Sequence, residues 1–101
     1  MIHVTAQITV KPGMVPTFLR EFRDLSRLVR QEPGCLDYFP CLDAKTVIDG
    51  QERNPNCVVI IEKWASVATL ESHLRVGHMR SFQERVKDIV EDVQLKILQE
   101  V

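Results

Sequence analysis

Between Ile61 and Leu74 the chain reads IEKWASVATLESHL. The only tryptophan, Trp64, stands two residues after Glu62 and nine before His73, and His78 follows five residues later. A carboxylate, an indole and two imidazoles so close together could move a proton beside an aromatic ring. Imidazole, with an ordinary pKa of about 6.5, is the natural general base near neutral pH, and such a base contributes typically 10²–10⁴-fold. An indole offers a broad apolar surface and a single N–H donor. On a strand, Glu62 and Trp64 would share a face. Turned inward, Glu62 would need a partner such as His73 or an arginine; at a solvated strand end it would need none. His73, three after Leu70, leans toward an apolar helix face. On one unbroken helix His78 would point about 140° away from it, so only a break near Gly77 aims both inward. A packed His73 and a surface-capping His78 fit the same pattern. The spacing is neither HxxxH nor HExxH, so the pair does not read as a metal site.

Tyr38 could donate to a substrate oxygen or pack with its hydroxyl at the rim. Phe18, Phe22, Phe39 and Phe82 are core-type residues, but Phe22 and Phe82 would also line any pocket between sheet and helices. Cys35, Cys41 and Cys57 are odd in number and lack a CxxC spacing. They read as reduced thiols of a cytoplasmic protein rather than a disulfide framework.

The elements that must hold these groups are legible. Ile2, Val4, Ala6, Ile8 and Val10 alternate with polar residues, a strand with one apolar face. Lys11-Pro12-Gly13 ends it. Val15, Phe18, Leu19, Phe22, Leu25 and Val29 then recur at helical spacing and predict an amphipathic helix over 14–32, stopped by Glu32-Pro33-Gly34. A second strand runs from Leu36 to Leu42, with Pro40 implying an edge or a bulge. The stretch from Lys45 to Asn56 is a turn region, and residues 57–65 form a third strand. Ser66 is a candidate N-cap for a helix from Val67 to Val76, which Gly77 closes or kinks. Met79, Phe82, Val86, Ile89 and Val90 make one stripe of a further helical segment, and Val93, Leu95 and Ile97 a fourth strand. The order β-α-β-β-α-β implies an α+β, ferredoxin-like domain: a four-stranded antiparallel sheet with helices on one face. The third strand is apolar on both sides at its start, so the helix-free face calls for a cover. A homodimer with facing sheets provides one, and the terminal KILQEV segment could reach across to the partner.

At 101 residues the chain is one domain, 1–101, which buries roughly 60–70% of its unfolded surface. A net charge of −1 gives no basic footprint for nucleic acid. The longest aliphatic run, Val58 to Ile61, is far shorter than the about 20 residues of a membrane span, and the N-terminus lacks the basic start of a signal peptide.

The motifs VKPG, EPGCLDY and IEKWASVATLESHLRVGHM, with the run HMRSFQERVKDIVEDVQLKIL, resemble the antibiotic biosynthesis monooxygenase family, and within it the small quinol monooxygenases of bacteria. The resemblance spans about Val4 to Leu98. It implies a dimeric ferredoxin-like α/β-barrel that oxidises a small aromatic or quinol-type substrate with O2, with neither metal nor flavin. On this reading His73 is the proton acceptor and Trp64 orients the substrate ring. His78, Tyr38, Glu62, Phe22 and Phe82 contribute to substrate binding. Haem-degrading relatives carry an asparagine on the first strand, where Gln7 stands here, which weakens a haem role. A ketone-processing isomerase and a non-catalytic small-molecule binder share the scaffold and are the alternatives.

Overall fold

A computed structural model describes residues 1–101, and its elements follow the expected order. They are β1 (Ile2–Val10), α1 (Val15–Val29), β2 (Cys35–Cys41), β3 (Cys57–Trp64), α2 (Val67–His73), α3 (Gly77–Val86) and β4 (Val90–Gln99). The four strands form one antiparallel sheet in the order β2-β3-β1-β4, the ferredoxin-like arrangement. β1 buries every second residue against the helices. On β3, Val58, Ile60, Glu62 and Trp64 face the same way. The core lies between this sheet face and the helices, with Phe18, Phe22, Leu25 and Val29 of α1 wholly buried. Pro40 sits on β2, an edge strand, where its missing N–H costs no ladder bond. No helix is long and apolar enough to cross a membrane.

Several boundaries depart from expectation for local reasons. α1 ends at Val29 instead of residue 32, because Gln31 and Glu32 donate to the carbonyls three residues back and wind the end into a tight turn. Gly34 follows at φ +82, a conformation open to glycine. A side chain there would also come within 2.5 Å of Thr69. The turn therefore presses directly on the start of α2, where Ser66 and Thr69 form a reciprocal capping box. α2 stops at His73 instead of Val76. Gly77 does not close it; Val76 is extended and caps α3, of which Gly77 is the first residue. β4 begins three residues earlier than expected, with Val90 paired to Val10 across a bulge, so Val90 belongs to the sheet and not to a helical stripe.

β4 is the least covered element. Val93, Leu95 and Ile97 are register partners of Ile8, Ala6 and Val4 and so lie on the helix side, yet each is about half exposed. The sheet is thus unfinished at this edge on the helix side as well as on its helix-free face.

Candidate active site

The tight turn after α1, the kink between α2 and α3, and the end of β3 meet at one place. Turn packing carries Glu32 to α2, where its carboxylate lies 3.1 Å from His73 Nδ1 through both oxygens. The kink at Val76 swings His78 to the same carboxylate, Nε2 to Oε2 at 2.6 Å. The break that the two histidines required is present, and they converge on Glu32; only His73 also borders the cavity between sheet and helices. An ionised carboxylate only accepts, so both imidazoles donate to it. His73 therefore carries its proton on Nδ1 and keeps Nε2 as an acceptor.

Trp64 stands behind this cluster, with no exposed surface and its ring 4.7 Å from that of His73. Its Nε1–H donates to Glu62 Oε1 at 2.9 Å. The partner that a buried Glu62 needed is thus the neighbouring indole on its own strand face, and neither a histidine nor an arginine. Tyr38, opposite Glu62 on β2, packs edge-on to His73 and is stacked on Phe22 at 5.3 Å. Arg30 donates to the Tyr38 carbonyl at 3.0 Å and ties β2 to the end of α1.

These groups border a cavity of about 300 Å³ between sheet and helices. Its lining is mostly apolar, from Ile8 and Phe18 to Phe82, Val86, Val93 and Leu95; Tyr38, Glu62 and His73 supply a polar patch. Each of the three brings one polar atom with no partner in the chain: the Tyr38 hydroxyl, Glu62 Oε2 and His73 Nε2. No wholly enclosed side-chain nitrogen or oxygen in the molecule lacks a partner, so these atoms reach the open space their residues line. An apolar cavity with a few convergent polar groups is the usual form of a small-molecule site.

Of the residues the sequence singled out, Tyr38, Glu62, His73 and Phe82 line the cavity. Trp64, Phe22 and His78 do not. Trp64 is sealed behind His73 and spends its N–H on Glu62, so it cannot stack on a bound ring. Phe22 is buried behind Tyr38. His78 opens onto a different surface, a groove between α1 and α3 beside Asp24 and Arg85. Gln7 points away from the cavity on the exposed helix-free side of β1, as its register between Val59 and Gln94 dictates. Glu32 was visible only as part of a helix stop. The signal for it was indirect: two imidazoles aimed inward by a kink require a common acceptor.

The electrostatics divide the polar patch. Burial pushes the His73 imidazole down from its ordinary value, against the bond and charge of Glu32, so it rests neutral. Burial pushes the Glu62 carboxyl up; the Trp64 hydrogen bond opposes this and the charge of Glu32 adds to it. The Tyr38 phenol is pushed up by burial, then by Glu62 and Glu32, and stays protonated. Cys35 is pushed up to about 11, mainly by burial, which leaves it a thiol and a poor nucleophile. The three cysteines are free.

The chain matches known proteins over nearly all of its length. Residues 1–85 match the family model described as antibiotic biosynthesis monooxygenase. The chain belongs to the antibiotic biosynthesis monooxygenase family. The protein YgiN of Escherichia coli strain K12, described as a probable quinol monooxygenase, is 36% identical over 101 residues, covering 98% of this chain and 97% of its own. A crystal structure of an antibiotic biosynthesis monooxygenase superposes with a TM-score of 0.83 at 28% identity, over 100% of this chain and 99% of the other. The protein PA3566 from Pseudomonas aeruginosa superposes at 0.82 with 27% identity, over 99% and 93%.

Proposed function

We propose that this chain is a cofactor-independent monooxygenase or oxidase of a small, quinol-type aromatic, with dioxygen as the oxidant. The observation that carries the reading is the cavity: apolar over most of its wall, with the free Nε2 of a buried neutral histidine among three unpaired polar atoms. The probable quinol activity of YgiN supports the substrate class.

Triplet dioxygen reacts slowly with closed-shell molecules, but an electron-rich phenolate can pass it one electron. The site must therefore make and hold an anion. His73 Nε2 takes a phenolic proton, and the resulting imidazolium is held by Glu32 through Nδ1–H, as a carboxylate orients the base in a catalytic triad. The Tyr38 hydroxyl donates to a substrate oxygen. Trp64 is a positioning residue, packed on His73 and bound to Glu62. Phe22 acts through Tyr38, and His78 through Glu32. Phe82 and the other apolar residues exclude water, which strengthens each of these interactions. For a hydroquinone the sum is hydroquinone plus dioxygen to hydroxyquinone plus water, or to quinone plus hydrogen peroxide.

The functional unit we propose is a homodimer. Val59, Ile61 and Phe39 on the helix-free face and the half-exposed β4 stripe are the surfaces a second copy would cover. Free cysteines support a reducing compartment such as the cytoplasm. The test is oxygen uptake with chemically reduced menadione, for the native protein and His73→Ala. Uptake well above autoxidation, abolished by the substitution, is expected. Uptake at the autoxidation rate with native protein would discard the reading.

A further inference from the structure

Glu62 is the buried carboxyl that the base and its orienting partner leave unused, and its two oxygens are not equivalent. Oε1 accepts the Trp64 N–H, whereas Oε2 has no partner and meets the cavity. No cation neutralises it. The titratable groups around it are Tyr38 and Cys35 from β2, Glu32 from the turn before β2, and His73 from α2; β1 contributes Val4. Lys87, which lines the same cavity, is engaged by Glu84 at 2.6 Å. Such surroundings favour the protonated over the ionised carboxyl, the direction in which burial and Glu32 also push it. With Oε1 already an acceptor from Trp64, a proton on this carboxyl would be carried by Oε2, the oxygen without a partner. Two titratable groups pushed in opposite directions at one site mark an acid and a base.

We propose that Glu62 is the acid of this site, giving its Oε2 proton to the peroxide formed when dioxygen adds to the substrate ring. This rests on the quinol reading above. His73 first takes the phenolic proton. The anion and dioxygen combine into a carbon-bound peroxide anion beside the new ketone. Glu62 protonates its distal oxygen. The ring C–H proton then passes to the Glu62 carboxylate, its electron pair forms the second carbonyl, and the O–O bond breaks. The departing hydroxide takes the proton from His73 and leaves as water. Both residues are restored, and the product is a hydroxyquinone. Without the acid, the peroxide is lost from the ring by cleavage of its C–O bond, leaving quinone and hydrogen peroxide.

Glu62→Gln keeps the shape and the acceptor for Trp64 but has no proton to give. With reduced menadione it should continue to consume oxygen while the ratio of water to hydrogen peroxide formed falls about 100-fold, the lower range of general-acid contributions. A merely structural glutamate would slow turnover without redirecting the product. Uptake by native protein with the same product ratio in Glu62→Gln overturns the acid and leaves the quinol reading intact; no uptake by native protein removes both. Independently of turnover, infrared spectra of native protein labelled at glutamate carboxyls should show a protonated glutamic acid at neutral pH. A fully ionised spectrum overturns the proposal, even if Glu62→Gln does not fold.

Discussion

The two walls of the cavity are built on opposite terms. On the wall made by β2, β3 and α2, the side chains are closely interlocked: Glu32 holds both histidines, Trp64 holds Glu62, and Arg30 holds the Tyr38 carbonyl. On the wall toward β4, Val93 and Leu95 touch the same cavity but are about half exposed, and nothing in the chain packs over them. The polar wall is held in place by the chain's own contacts, and the apolar wall is open; in the homodimer we propose, a second copy would complete it. Precision is placed where an error is costly, since a misplacement of about 1 Å in a reacting group can cost 10²-fold. An apolar wall tolerates a looser fit, because its contribution follows area and not direction.

Breaking the polar wall should produce the largest effects. His73→Ala removes the proposed base and should lower oxygen uptake with reduced menadione by about 10²–10⁴-fold, with circular dichroism confirming the fold. Uptake within a factor of a few of native would show that the proton goes elsewhere. Glu32→Gln keeps the bulk of the clamp but offers only one acceptor oxygen to two imidazoles. Turnover should fall by about 10²-fold through misplacement of His73. Unfolding in urea should show a loss of about 2–3 kcal/mol, typical of hydrogen bonds to a buried charge. If Glu32→Gln is as active as native, Glu32 holds the fold alone.

This contrast also explains what could be read without coordinates. The sheet, the helices and the inward face of β3 were legible because they rest on periodicity: the alternation of Ile2 to Val10 and the helical spacing of Val15 to Val29 are local signals. His73 and Glu62 were legible as candidates because their types and spacing are chemical. The role of Trp64 was not, since whether an indole faces a cavity or seals one depends on packing from α2. Glu32 was not either. It stands 41 residues from His73, and only the Gly34–Thr69 contact brings its turn against α2. The uncovered helix side of β4 was hidden for the converse reason. Val93, Leu95 and Ile97 carry the pattern of a buried face, and the pattern does not say whether the chain's own helices reach it.

Breaking the open wall should leave the subunit standing. Ile97→Asp places a charge on a half-exposed position of β4 where the cost to the isolated fold should be about 0.5 kcal/mol or less. In a dimer that covers the stripe, the same charge is desolvated and association should weaken by about 1–3 kcal/mol, a rise of about fivefold to 150-fold in the dissociation constant. Sedimentation equilibrium reads this directly. A native protein that stays monomeric, or a dimer indifferent to the substitution, would mean the stripe is not the contact.

The smallest effect sharpens the comparison within the polar wall itself. His73 is pushed below its ordinary 6.5 and Glu62 above its ordinary 4.5, so their contributions to folding run oppositely with pH. For His73 the unfolded chain binds more protons below about 6.5; its contribution is full above that value and is lost as pH falls toward the folded value. For Glu62 the folded chain binds more protons above about 4.5; its contribution is full below that value and is lost as pH rises through the folded one. Between the two values they offset each other. Urea unfolding from pH 5 to 6.5 should therefore show stability rising with pH more steeply in Glu62→Gln than in native protein, and less steeply in His73→Gln, by about 1 kcal/mol across the window. The opposite signs are the point, because a general loosening of the wall would change both slopes alike. Slopes in both variants equal to the native slope would show that the imidazole and the carboxyl titrate in the folded protein as they do in water, and the division of labour between them would fall with that result.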